Sequence, residues 1–178
     1  MDKKTNICLL GPSGVGKTTL AHKLCKNFNF ELFNFTETFQ ELANAGYHTE
    51  IISEILPAQK ELPINVVADG LEFKFAQFKD NNGIILDNPY SIDQYNLFCQ
   101  YLEFHYHFRL ELNRQLLAQR VSKRGGIKAL PEQIAERARI WEARALPMLE
   151  LLNSKITPID ASQSEQAVFD QVCNIMQI

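Results

Sequence analysis

Apolar residues mixed with β-branched and aromatic ones gather in five short runs: Asn6 to Leu10, Glu31 to Phe35, Ile84 to Asp87, Glu103 to Leu112 and Lys155 to Asp160. Runs of this length and make-up predict buried strands. Helical spacing fills the intervals. Lys17 to Phe28 sets Leu20, Leu24 and Phe28 on one face. Thr36 to Ala45 opens on a capping threonine and stops at Gly46. Leu62 to Asp80 takes Pro63 in its first turn, carries Val67, Leu71, Phe75 and Phe78 as an apolar stripe, and gives way to the turn Asn81-Asn82-Gly83. Further helices are expected over Ile92 to Leu102, Asn113 to Lys123, Pro131 to Leu152 and Ser164 to Met176. Strands alternating with helices predict βαβ crossovers and an α/β fold, its parallel sheet covered on both faces. No internal repeat or low-complexity linker interrupts the pattern.

The 178 residues suit one domain with a sizeable core, and 46% hydrophobic and 22% charged residues are ordinary globular values. No apolar run approaches the roughly 18 residues of a membrane span, and only Ile7 to Leu10 follows the charged start, so a cytoplasmic protein without a signal peptide is expected. Cys8, Cys25, Cys99 and Cys173 show no CxxC spacing and read as buried thiols. The net charge of −3 argues against nonspecific nucleic-acid binding. It also hides a partition. Residues 114–144 hold eight basic side chains against three acidic ones, and all seven arginines lie at position 109 or later. Arginine suits forked contacts with phosphate, so the two halves differ in the ligands they can hold.

One motif carries definite chemistry. Gly11-Pro12-Ser13-Gly14-Val15-Gly16-Lys17-Thr18 matches GxxxxGK[ST] between a predicted strand and a predicted helix. Glycines at 11, 14 and 16 let consecutive backbone N–H groups and the helix N-terminus face polyphosphate oxygens. Lys17 supplies a mobile charge for the β- and γ-phosphates, and the Thr18 hydroxyl a ligand for Mg²⁺. Asp87 ends an apolar strand, where its carboxylate would bind the same metal directly or through water.

With Thr19 closing that loop motif, Asn82-Gly83-Ile84-Ile85-Leu86-Asp87 followed by Pro89 and Gln94, Arg120-Val121-Ser122-Lys123-Arg124-Gly125, and Arg137 ten residues before Pro147, the chain resembles the adenylate kinase family of nucleoside monophosphate kinases. Ile159-Asp160-Ala161 and Val168-Phe169-Asp170-Gln171-Val172 resemble the end of that family's chain. The resemblance implies a three-layer P-loop NTPase fold with a five-stranded parallel sheet, residues 1–178 forming one domain. An acceptor-binding insertion would span about 36–68 and a short lid about 123–133. It implies transfer of a phosphoryl group from ATP to a nucleoside monophosphate with Mg²⁺, giving a nucleoside diphosphate and ADP. Gly11, Ser13, Gly14, Val15, Gly16, Lys17, Thr18, Thr19 and Arg120 would bind ATP, with Thr18 and Asp87 at the metal. Lys17, Arg120, Arg124 and Arg137 would carry donor and transition-state charge, a role that fits the electrostatics of phosphoryl transfer. The expected partners are nucleotide substrates, with no nucleic acid and no membrane, and the chain is expected to act as a monomer or a weak oligomer.

Two departures from the family stand out. Only twelve residues separate Arg124 from Arg137, and Gly126 and Lys128-Ala129 stand where the family has an arginine and paired aspartates. On the acceptor side Gln40 and Tyr90 fall where the family carries arginines, and no arginine precedes Arg109. Losing two such contacts costs several kcal/mol, at roughly 1.5–3 for each hydrogen bond to a charged group. Three alternatives stay open: Lys60, or another lysine such as Lys74, binds the acceptor phosphate; the acceptor is not a standard monophosphate; or the protein binds ATP as a regulatory module with little catalysis. Gln94, matching a residue that reads the acceptor base, and Thr36 complete the expected acceptor site.

Other features read as packing. His105 and His107 alternate onto one face of a strand without a third metal ligand nearby. The aromatic run Phe28 to Phe35 lacks the positive charge of a single-stranded nucleic-acid site, and Trp141 reads as a core residue.

Overall fold

The computed structural model describes residues 4–58, 60–89, 91–123 and 131–178. Five parallel strands, β1 (Asn6–Leu10), β2 (Glu31–Asn34), β3 (Ile84–Asp87), β4 (Phe104–Glu111) and β5 (Ile156–Asp160), form one sheet in the order β2-β3-β1-β4-β5. Between them run α1 (Lys17–Phe28), α2 (Phe35–Asn44), α3 (Thr49–Ala58), α4 (Ile64–Phe75), α5 (Ile92–Cys99), α6 (Arg114–Lys123) and α7 (Pro131–Leu151), and α8 (Glu165–Met176) follows β5. This is the expected three-layer P-loop arrangement.

Alternation along the strands makes the layers. Ile7 and Leu9 of β1 face a core with Leu20 and Leu24 of α1 and Val168 and Val172 of α8. Cys8 and Leu10 face the opposite core, where Phe33, Phe39, Leu71 and Phe98 bring in β2, α2, α4 and α5. In that second core Phe33 meets Phe98 edge-on, with ring centroids 4.8 Å apart, a favoured aromatic geometry. Helix α7 serves both layers. Its stripe begins with Ile134 and Ala138 in the first core and continues with Trp141, Ala145 and Met148 in the second, where Leu152 follows just past its end. The aromatic run from Phe28 is therefore mostly packing, with Phe30, Phe33 and Phe35 buried.

The differences from the sequence expectation have local causes. The helix expected to reach Asp80 stops at Phe75, and Phe78 folds back against the Phe75 ring. Helix α3 lies where no helix is expected; Pro57 in its last turn masks a stripe that buries Ile52. A register shift in the β1–β4 pairing sets Asn6 against Phe104 but Ile7 against Tyr106. This bulge breaks the simple alternation assumed for the histidines. Phe104 and His107 consequently contact each other, while His105 Nδ1 accepts the Asn6 N–H at 3.2 Å. The cysteines also divide: Cys8 and Cys173 are buried, Cys25 is half-buried, and Cys99 is exposed, against the expectation of four buried thiols.

Candidate functional site

The site lies beyond the C-terminal ends of β1, β2 and β3, the crevice where open parallel sheets bind ligands. After β1 the chain turns through Gly14 and Gly16 at φ of 90° and 115°, values that side-chain-bearing residues rarely adopt. A Cβ at Gly14 would collide with Val121 of α6, whereas Gly16 faces open space over the first turn of α1. That opening lies at a helix N-terminus with no acidic residue in its first turn, surroundings that favour an anion. Lys17 is buried, its Nζ donating to the Gly11 carbonyl at 2.7 Å and to the Pro12 carbonyl at 3.1 Å.

Asp87 stands beside this loop because β3 is the strand next to β1, with Leu9 in register with Asp87. Thr18 Oγ1 donates to Asp87 Oδ2 at 2.8 Å, and Asn34 Nδ2 donates to the same oxygen at 3.3 Å. The other oxygen, Oδ1, is buried with no hydrogen-bond partner among the described residues. A carboxylate oxygen left unpaired beside a threonine hydroxyl is a donor set for a hard cation such as Mg²⁺, which takes only one or two protein ligands and fills its shell with phosphate oxygens and water. No cluster of three or more His, Cys, Asp or Glu suited to a metal occurs among the described residues. The residues present therefore fit Mg²⁺ held together with a polyphosphate.

Two cavities flank the loop. One, of about 170 Å³, has Ser13, Lys17 and Thr18 on one wall and Asn34, Phe35, Thr36 and Asn88 on the other, with Asp87 among its lining. The second, of about 340 Å³, is lined by Val15, Thr19, Lys23, Arg120, Gln163 and Val168, among others. Arg120 spans its edge, donating to the Val15 and Gln163 carbonyls at 3.3 Å each.

Of the residues singled out from sequence, Ser13, Gly14, Val15, Gly16, Lys17, Thr18 and Thr19 line one or both cavities, as do Asp87, Thr36 and Arg120, while Gly11 enters through its carbonyl. Gln40, one turn beyond Thr36 on α2, and Lys60, after α3, are exposed and line neither cavity. Gln94 is 1% exposed in the first turn of α5, its N–H bonded to Ser91 Oγ. Lys74 is engaged by Glu41 at 2.7 Å. Tyr90 and Arg124 lie outside the described residues, as do most of the expected lid and the side chain of Arg137.

Asn34 and Asn88 went unnoticed in sequence. Asn34 had a usable signal, a capping residue three positions before Glu37 at the end of a strand. Asn88 had none: it adopts φ of 65°, and its Oδ1 accepts the Trp141 indole N–H at 3.0 Å, so a buried tryptophan also steadies the loop after β3. His107 holds Tyr95 at 2.8 Å in the second core. Burial, with a smaller contribution from Lys155, pushes its imidazole down to about 4.

Residues 10–137 match the model of a protein family described as an AAA domain. Over 170 residues, 92% of this chain and 94% of the relative, the sequence is 25% identical to the adenylate kinase of Mycobacterium marinum. The adenylate kinase of Mycobacterium tuberculosis is 24% identical with the same coverage. A shorter match, 35% identical over 88 residues, joins 43% of this chain to 29% of the small ribosomal subunit biogenesis GTPase RsgA of Mycoplasmopsis agalactiae.

Proposed function

The chain belongs to this AAA domain family and is a divergent adenylate kinase-like P-loop protein, and from that premise we propose that it is an ATP- and Mg²⁺-dependent phosphotransferase of the nucleoside monophosphate kinase type. The supporting observation is the convergence of Lys17, Thr18 and the half-satisfied Asp87 carboxylate on a glycine loop that opens onto two cavities.

The larger cavity suits the donor nucleoside. Its apolar floor of Leu20 and Val168 offers a surface to a planar base, and Arg120 presents a guanidinium at the edge. The smaller cavity, between the loop and α2, suits the phosphates and the acceptor. The turns at Gly14 and Gly16 let the backbone wrap closely around phosphate oxygens, and Lys17 exchanges its carbonyl contacts for theirs. Thr18 and Asp87 would hold Mg²⁺, which when bound neutralises charge on the phosphate chain. Arg120, Arg124 and Arg137 are assigned to donor and transition-state charge. Residues 36–68 act as the acceptor-binding insertion and 123–133 as a short lid. The acceptor is AMP-like, contacted by Thr36, Gln40, Lys60, Tyr90 and Gln94, and the chain works in the cytoplasm.

A second reading, a different acceptor or little turnover, is favoured by the acceptor wall itself. Asn34, Phe35, Thr36 and Asn88 are all uncharged, and Lys74 is already paired with Glu41. A coupled ADP-release assay with the common nucleoside monophosphates and a panel of hydroxyl acceptors separates the two, with Lys17→Ala as control. Turnover with a monophosphate supports the first reading. Turnover with a hydroxyl compound, or ATP binding without any turnover, moves the assignment to the second.

A further inference from the structure

Asn34 is the last residue of β2 and pairs in register with Asp87 of β3. Both ends of its amide are used. Oδ1 accepts the Glu37 N–H at 3.1 Å and caps α2, while Nδ2 donates to Asp87 Oδ2 at 3.3 Å. The neighbours fix this orientation, because a backbone N–H can only donate and an ionised carboxylate can only accept. A helix cap needs an acceptor alone, and serine or threonine serves about as well. The donation to Asp87 is therefore more than capping requires.

We propose that Asn34 is a positioning residue for the metal-binding carboxylate: its amide holds Oδ2 of Asp87 and so fixes the orientation in which the carboxylate meets the cation. The idea rests on the phosphotransferase reading above. Two donors, Thr18 and Asn34, converge on one oxygen and leave the other unpaired and buried. Two donors on Oδ2 resist rotation of the carboxylate. They are not equivalent. Thr18 carries a hydroxyl whose oxygen can itself ligate the cation, whereas an amide –NH₂ has no lone pair available for a metal and stays a donor throughout. Asn34 is thus the contact that persists with metal present, in the manner of the outer partners that orient metal-binding carboxylates. Its side chain is also neutral, so it adds no second negative charge beside Asp87.

The test separates the cap from the carboxylate contact. Asn34→Ser keeps a capping oxygen and is too short to reach Asp87; Asn34→Ala loses both functions. Manganese binding is followed by the electron paramagnetic resonance of free Mn²⁺ titrated with full-length protein and ATP, alongside ATP binding in EDTA and thermal unfolding without ligand. Asn34→Ser is expected to unfold near the wild-type midpoint and bind ATP in EDTA normally, while its Mn²⁺ dissociation constant with ATP rises roughly tenfold. Asn34→Ala is expected to show the same metal loss together with a lower midpoint. Wild-type Mn²⁺ affinity in Asn34→Ser overturns the proposal. So does a metal defect confined to Asn34→Ala, which would trace it to the cap. Should the serine variant not fold, Asn34→Thr is read by the same criteria. Wild-type protein that binds no Mn²⁺ with ATP would instead remove the phosphotransferase reading, and this inference with it.

Discussion

The two faces of the sheet share one architecture of strands covered by helices, and they offer a phosphate very different surroundings. On the face of the sheet that carries Ile7 and Leu9 lie α1, α6 and α8, with Lys23 and Arg120 lining a cavity of about 340 Å³. The segment 114–144, which supplies Arg120, has a net charge of +5. On the opposite face lie α2, α3 and α4, which pack aromatic rings beneath an uncharged wall. Residues 35–75 there hold two lysines against seven carboxylates, a net charge of −5. The contrast separates two means of recognition. The first face can grip phosphate by charge, while the second must discriminate by shape and neutral hydrogen bonds.

The comparison can be broken at several points. Lys17→Ala removes the cation of the phosphate loop and should weaken ATP binding about 100-fold, taking roughly 1.5–3 kcal/mol per charged hydrogen bond. Calorimetry checks this, and near-normal affinity would deny the loop its role. Acid should loosen the second core. His107, held neutral down to about 4 there, takes up a proton more readily once unfolded. Its folded value lies below the ordinary 6.5, so the unfolded chain binds more protons between those limits. Stability therefore falls as pH drops from about 6.5 toward 4, by on the order of 2–3 kcal/mol. Urea unfolding of wild type and His107→Gln across that range should show the wild-type slope flattened in the variant. Arg120→Ala should weaken ATP binding about tenfold with no effect on the acceptor, the mark of a residue belonging to one face. Gly70→Ala should cost about 1–3 kcal/mol, because a Cβ there runs into the Phe39 ring where α4 crosses α2. The smallest effect is expected from Lys60→Ala: a few-fold rise in the KM of a monophosphate acceptor at constant ATP affinity. An unchanged KM would leave the second face without a cationic contact at that lysine.

Much of the frame was legible because its determinants are local. All five strands fall within a residue of their expected ends, since β-branched and apolar runs bounded by turns leave few alternatives. The phosphate loop was readable for the same reason, being one contiguous motif. Helix α3 was not, because Ile51, Ile52 and Ile55 favour strands and Pro57 argues against a helix, and the apolar stripe pays off only against the second core. The histidine pairing failed on a bulge that no pattern in β4 announces. In the site itself, the Asn34–Asp87 and Trp141–Asn88 contacts each join residues 53 positions apart, and such meetings are decided by sheet order.

Helix α7 sets a limit on how independent the two faces can be. One continuous stripe lies in the first core at Ile134 and Ala138 and in the second from Trp141 to Met148, so neither layer can open without stripping part of the same helix. The chain is therefore partitioned in charge and unified in cooperativity. Its amide protons on both sides of the sheet should exchange through a shared opening, with α7 as the common element whose loss ends protection in both layers.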